Sequence, residues 1–184
     1  PWFGSLRHRL SEESKYTRAV MRPTTALQMQ LYDEMVARLP SEHTSSVEPL
    51  GDFLYYTRTP HRRDLPLYCR THKGGGPEQI LLDLGALADA HGFAGLGSLS
   101  ISSDQSMLAF TVDLSGAERY ELRVVDLASG HVVSSRSNAV GVEWACGHEL
   151  VYTSADARAR PHQALLHMAG SERECDDAVL LTEE

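Results

Sequence analysis

A chain of 184 residues that is 42% hydrophobic and 23% charged has the makeup of one globular domain with enough apolar material for a core. Its net charge of -8 excludes the basic footprint of a nucleic-acid binder. No apolar run approaches the roughly 18 residues of a membrane span, and Pro1 to Arg9 lack the apolar stretch of a secretory signal.

The first forty or so residues read as helix. Good helix formers run from Ser11 to Met21, with Glu12 and Glu13 expected in the first turn, where they favour the helix dipole. Pro23 stops this helix. A second helix is expected from Thr25, whose spacing to Gln28 fits a capping box. Leu27, Leu31, Met35 and Leu39 form an apolar stripe along it, up to Pro40 and Ser41. Such a stripe is expected to pack on the rest of the protein, a partner-binding face being the alternative.

From Leu50 the texture changes to short β-branched and aromatic runs between Gly, Pro, Asp and Ser. Leu54-Tyr55-Tyr56-Thr57, Leu108-Ala109-Phe110-Thr111 and Leu150-Val151-Tyr152-Thr153 share one form. Each is followed, after 13, 14 and 15 residues, by a second strand starting at Leu67, Leu122 and Leu165. Repeats that start 54 and 42 residues apart are the spacing of β-propeller blades. Gly116 and Gly130 supply the turns between strands, and Leu84 to Gly97 reads as a loop with one helical turn. The expected fold is mainly β. A helical segment (1-44) precedes about three blades of an incomplete propeller (45-184). A propeller closes with about four to eight blades, so the chain is expected to be part of something larger. The missing initiator Met agrees with that expectation.

Several of these segments resemble, in order, the oligopeptidase B-like serine peptidases of the prolyl oligopeptidase family. They are Glu13 to Met21, Leu27-Gln28 with Leu31 to Met35, and Tyr55 to Arg58 followed by Leu65 to Arg70. Ile80 to Asp83, Leu87-Ala88, His91 and Gly97 follow, and then Ser103-Asp104, Leu108 to Phe110, Asp113, Gly116, Glu118 to Tyr120 and Leu122 to Val124. The Leu65 to Arg70 hairpin is the most specific match. Gly85, Ala90 and Cys146-Gly147 depart from the family pattern, as does the extreme N-terminus. The resemblance implies a seven-bladed propeller over an α/β-hydrolase domain that is absent from this chain. It also implies cleavage of short peptides after Lys or Arg by a Ser-Asp-His triad, without a cofactor. Implied partners are short basic peptides and the catalytic domain, with no nucleic acid or membrane. A truncated, non-catalytic binding module is the alternative.

No catalytic, cofactor-binding or metal residue is assigned. A nucleophile elbow needs G-x-S-x-G, and Gly95-Leu96-Gly97-Ser98-Leu99 fails because Gly97 directly precedes the serine. His91 has no motif-paired nucleophile and is expected to make a structural hydrogen bond. His43, His61, His72 and His162 lack metal-ligand spacing. Asp104 and Asp113 are expected to cap turns rather than to act as an acid–base pair. Asp176-Asp177 and Glu183-Glu184 are expected to form a solvated acidic rim, with peptide steering as the alternative. Gly74 to Gly76 is no phosphate loop, since no Lys-Ser or Lys-Thr follows. Cys69, Cys146 and Cys175 form no C-x-x-C pair and point to reduced thiols in the cytoplasm.

Overall fold

Pro23 lacks the backbone N–H that an α-helix interior needs, and the chain meets that constraint with a single 3-10 turn. In the computed structural model, which describes residues 2–171 and 177–183, helix α1 spans Trp2–Met21, the 3-10 turn Arg22–Thr24 and helix α2 Thr25–Arg38. Helix α1 therefore starts well before Ser11. Glu12 and Glu13 sit in its interior, where Glu12 pairs with Lys15 at 2.7 Å instead of meeting the dipole. The expected capping box does not form. Thr24 and Thr25 are both helical, and their hydroxyls donate back to the carbonyls of Met21 and Arg22 at 2.7 and 2.9 Å. Gln28 reaches Thr24 Oγ1 instead of closing a box with Thr25. The stripe on α2 is uncovered: Leu27, Leu31, Met35 and Leu39 are 54%, 46%, 58% and 70% exposed.

The chain divides into two units, residues 1–41 and 42–184. The second is built of strands β1 (His43–Thr44), β2 (Glu48–Leu50), β3 (Phe53–Thr59), β4 (Leu67–His72) and β5 (Gln79–Asp83), then helix α3 (Leu84–His91). Strands β6 (Gly95–Ile101), β7 (Met107–Asp113), β8 (Tyr120–Asp126) and β9 (Val132–Ser137) follow. Strands β10 (Ala139–Trp144), β11 (Glu149–Ala155), β12 (Pro161–Met168) and β13 (Ala178–Thr182) complete it. They form three antiparallel meanders, each a blade: β1-β3-β4-β5 with β2 also on β3, β6 to β9, and β10 to β13. The three repeated Leu-x-aromatic-Thr runs lie on β3, β7 and β11, the second strand of each blade. Their partner runs lie on β4, β8 and β12.

Alternation along β7 explains the stacking. Leu108, Phe110 and Val112 face one way and join Leu82, Leu84, Ala94 and Leu127 in a core shared by the first two blades. Ala109 faces the other way and joins Leu122, Val124, Ala139, Val142, Leu150 and Tyr152 between the second and third blades. Each fully buried Leu here, such as Leu108, contributes about 2 kcal/mol. Polar ties cross both seams. Arg70 Nη1 donates to Gln105 O at 2.6 Å and Gln79 Nε2 to Leu127 O at 2.8 Å across the first. Thr111 Oγ1 donates to Val140 O, and the Val142 amide to Ser98 Oγ, both at 3.1 Å, across the second.

The segment expected to be a loop with one helical turn, Leu84 to Gly97, holds the two-turn helix α3, then Gly92 to Ala94 and the start of β6. Asp83 Oδ1 accepts from the Ala86 amide at 2.8 Å and starts the helix. Gly92, at φ +85°, ends it with its amide on Ala88 O. Among the described residues no helix is long and apolar enough to cross a membrane.

Gly97 lies where the second blade's own side chains leave no room. A Cβ there would stand 2.5 Å from Thr111 Oγ1 and 2.9 Å from Tyr120 Cδ1. Thr111 is fully buried and cannot retreat, because its hydroxyl also accepts from the Ser98 amide. Gly97→Ala is therefore expected to destabilise the protein by about 1–3 kcal/mol. Gly141→Ala, whose Cβ meets nothing within 4 Å, should leave the urea midpoint almost unmoved.

Candidate functional site

The carboxylates singled out in the sequence form turns. Asp104 accepts from Ser102 Oγ at 2.6 Å, Ser106 Oγ at 2.8 Å and the Ser106 amide at 3.1 Å, which holds it well below the usual carboxylate range. Asp113 accepts from the Ser115 amide and hydroxyl at 2.8 and 2.7 Å and from the Glu118 amide at 2.7 Å. Burial alone would raise its pKa, but the bonds from Ser115, Glu118 and Gly116 outweigh burial and lower it. Asp104 precedes β7 and Asp113 closes it. About 20 Å of strand separates them, too far for shared acid–base work.

The histidines expected to be structural are scattered. His91 is exposed in the last turn of α3 and makes no side-chain hydrogen bond among the described residues, so the expected structural bond is not found. His72 Nδ1 accepts from the Gly74 amide at 3.0 Å, which helps set the turn in which Gly75 and Gly76 take φ of +89° and +140°. His43 lies on β1, His61 is exposed after β3, and His162 lies on β12 with a buried Nδ1 that has no partner among the described residues. Among the described residues no group of three or more His, Cys, Asp or Glu is placed to hold a metal ion. Cys69 is buried and Cys146 exposed, both as free thiols, and burial pushes the Cys69 thiol up to about 11. Cys175, Asp176 and Glu184 lie outside the described residues. On β3 and beside β5, Arg58 grips Glu78 through Nε at 3.0 Å and Nη2 at 2.6 Å, and Tyr56 OH donates to it at 2.7 Å. These bonds draw Glu78 down to about 2 and push Tyr56 up to about 12.

The most concentrated polar cluster is elsewhere, on the seam between the second and third blades. Ser134 Oγ stands 2.9 Å from His167 Nε2, and His167 Nδ1 stands 2.8 Å from Asp177 Oδ1. Arg136 grips the same carboxylate through Nε at 2.6 Å and Nη2 at 3.0 Å, and Tyr152 OH donates to it at 2.9 Å. The His167 side chain is 0% and the Asp177 side chain 1% exposed. Asp177 is thus no part of a solvated rim, since its carboxylate lies inside and is satisfied by three donors. Burial would raise its pKa, but Arg136, His167 and Tyr152 outweigh it and keep Asp177 ionised. Burial lowers the pKa of His167, and Arg136 adds to this against the pull of Asp177. His167 is therefore neutral. Nδ1 faces both the Asp177 carboxylate, which can only accept, and Arg136 Nη2, which can only donate, while Nε2 faces the Ser134 hydroxyl.

The chain of three consecutive antiparallel blades matches the model for "Prolyl oligopeptidase, N-terminal beta-propeller domain" over residues 8–184. The chain belongs to the prolyl oligopeptidase family. Protease 2 of Moraxella lacunata is 30% identical over 181 residues, which cover 92% of this chain and 26% of that protein. Dipeptidyl aminopeptidase BI of Pseudoxanthomonas mexicana is 31% identical over 140 residues, 67% of this chain and 19% of that protein. Among solved structures, oligopeptidase B from Leishmania major superposes with a TM-score of 0.84 at 22% identity, covering 96% of this chain and 26% of its own. Oligopeptidase B from Trypanosoma brucei, with covalently bound antipain, gives 0.82 at 25% identity, covering 95% and 25%. The chain therefore spans about a quarter of the length of these relatives.

In this prolyl oligopeptidase family member, Ser134, His167 and Asp177 have the contact distances of a catalytic triad but not its setting. Ser134 is 7% exposed on a regular strand, not on a strained turn, so no substrate carbonyl reaches Oγ. Asp177 is also neutralised by Arg136, which stands 3.0 Å from the ring nitrogen that a triad carboxylate must orient alone. The arrangement holds blades together. Sequence reading missed it because Ser134 and Arg136 look like the solvent side of a polar strand. The available signal was His167, which shares its inward parity on β12 with the core residue Leu165.

Removing one partner of a buried pair strands the other charge. Arg136→Met is expected to cost about 3–5 kcal/mol in equilibrium unfolding. Ser134→Ala, which removes one neutral hydrogen bond, should cost about 1 kcal/mol.

Proposed function

We propose that this chain is the propeller side of an oligopeptidase B-like serine peptidase that cleaves short peptides after Lys or Arg. The observation that carries the reading is the run of three blades matching the family's N-terminal propeller over residues 8–184. In this reading residues 1–44 form the helical lead-in and 45–184 the first blades, while the α/β-hydrolase domain lies on sequence outside these residues. The propeller admits short peptides and turns folded proteins away. The chain's net charge of -8 steers basic peptides toward it. Catalysis is acyl transfer by an activated serine, with an oxyanion hole for the tetrahedral intermediate. The absence of G-x-S-x-G from these 184 residues supports a nucleophile elsewhere. The free thiols Cys69 and Cys146 suit the reducing cytoplasm.

A second reading, a non-catalytic module that binds peptide or protein, is favoured by Val179, Leu180 and Leu181 on β13. They are 55%, 55% and 65% exposed along an edge that no strand of the described residues pairs. The size of the native polypeptide separates the two. An immunoblot band far above 20.3 kDa supports the peptidase, and a band at 20.3 kDa supports the module.

The peptidase reading predicts that the native polypeptide hydrolyses a fluorogenic Arg-Arg substrate and spares a folded protein with the same sequence in a loop. The 184-residue chain alone should be inactive. The native polypeptide carrying Ser134→Ala should keep kcat/KM within about twofold, because Ser134 is not the nucleophile. A native polypeptide that leaves the Arg-Arg substrate intact would sink the reading.

A further inference from the structure

Arg70 is a buried cation that meets no anion among the described residues. It is 6% exposed, and its bonds go to neutral groups. Nε donates to Gln79 Oε1 at 2.8 Å, and Nη1 donates to Gln105 O at 2.6 Å and stands 3.4 Å from Tyr55 OH. Its Cζ lies 4.1 Å over the Phe53 ring. Arg58, Arg63, Arg123 and Arg160 are more exposed, yet each meets a carboxylate, and the buried Arg136 meets Asp177. A guanidinium this far from water is ordinarily paired, because neutral acceptors and a ring face replace a counter-charge only in part.

The strand register explains why no counter-charge arrives. Arg70 stands opposite Tyr55 on β3 and Gln79 on β5. Glu78 is one residue away from Gln79, but Arg58 and Tyr56 hold its carboxylate. Arg70 Nη2 is left without a hydrogen bond among the described residues, and it is not sealed from solvent. Two residues on, His72 shares the face of Arg70, the face of the first blade that packs on the second. His72 Nδ1 accepts from the Gly74 amide, so the neutral ring carries its hydrogen on Nε2. That is a second donor with no acceptor among the described residues. Phe53 joins the two: it pairs with His72 across the ladder and meets the imidazole edge-on at 5.5 Å, while the guanidinium covers its face. Phe53, Arg70 and His72 line one open cleft of about 450 Å³, together with Gly75, Gly76 and Pro77.

We infer that this cleft is an anion site, and that its ligand is a small carboxylate from solution held by Arg70 Nη2 and His72 Nε2. Charge favours a monoanion. The cleft has one fixed cation and is bordered by Glu78, so a phosphate dianion would keep an unbalanced charge beside a carboxylate. Shape favours a carboxylate over a halide. Two donors suit two oxygens, and Phe53 and Pro77 offer apolar surface to the carbon end. A bound carboxylate supplies the counter-charge that Arg70 lacks. It thereby strengthens the tie that Arg70 makes from the first blade to Gln105 of the second.

The test is thermal unfolding of the native polypeptide at neutral pH as sodium acetate replaces sodium chloride at constant ionic strength. The midpoint is expected to rise with acetate, as it does for a ligand that binds only the folded state. In Arg70→Gln the midpoint should not respond to the exchange, whatever its level, because general salt effects act on both proteins alike. In His72→Ala, which removes an exposed side chain, the acetate concentration that gives half the effect should rise about tenfold through the loss of one donor. Should Arg70→Gln fail to fold, His72→Ala carries the test. A native midpoint that ignores the exchange of chloride for acetate overturns the site. So does an acetate response that is the same in the native polypeptide and in whichever variant folds.

Discussion

Everything in the strand-built unit depends on β7 being apolar on both faces. A strand that buries Leu108, Phe110 and Val112 on one side and Ala109 on the other cannot belong to a sheet with a wet face. Its sheet must be covered twice, and a neighbouring blade on each side is how this chain does so. Stacked meanders follow from that requirement, as does the recurrence of the same Leu-x-aromatic-Thr run on β3 and β11. The outer faces of the first and third blades have no equivalent cover among the described residues. An array of this kind is stabilised blade by blade through its neighbours.

The two seams are not built alike. Between the first and second blades the larger apolar residues dominate, and Arg70 adds a tie by lying 4.1 Å over the Phe53 ring while reaching Gln105 O. Between the second and third blades the inner half is apolar and the outer half ionic, with Arg136 and Asp177 both nearly inaccessible. Apolar contact tolerates sliding and is indifferent to pH. A bidentate guanidinium–carboxylate pair is directional and sensitive to the charge beside it. The second seam thus has a fixed register at its rim.

This contrast also explains how much could be read from the sequence. The second and third strands of each blade stood out because their inward residues are Leu, Val, Phe and Tyr. The flanking strands did not, because their inward residues include Ser98 on β6 and Ser134 and Arg136 on β9, which read as solvent-facing. Helix α3 was legible only as one helical turn, because Leu84 to His91 is short and lies between Asp83 and Gly92, two residues equally at home in a turn. The turn aspartates Asp104 and Asp113 were legible from local spacing alone, since an Asx turn is closed by residues two or three positions on. Asp177 was not. Its partners lie 41, 25 and 10 residues back, and no local pattern links them.

The cluster at Ser134 shows how little a set of distances says about chemistry. A serine within 2.9 Å of an imidazole that is within 2.8 Å of a carboxylate meets the hydrogen-bond pattern of a nucleophile in this peptidase family. What it lacks is a reason for proton transfer. Ser134 Oγ is buried, and the adjacent Arg136 disfavours the imidazolium that a general base must become. A triad stabilises imidazolium and uses it to move a proton. This cluster destabilises imidazolium, so it joins two blades and moves no proton.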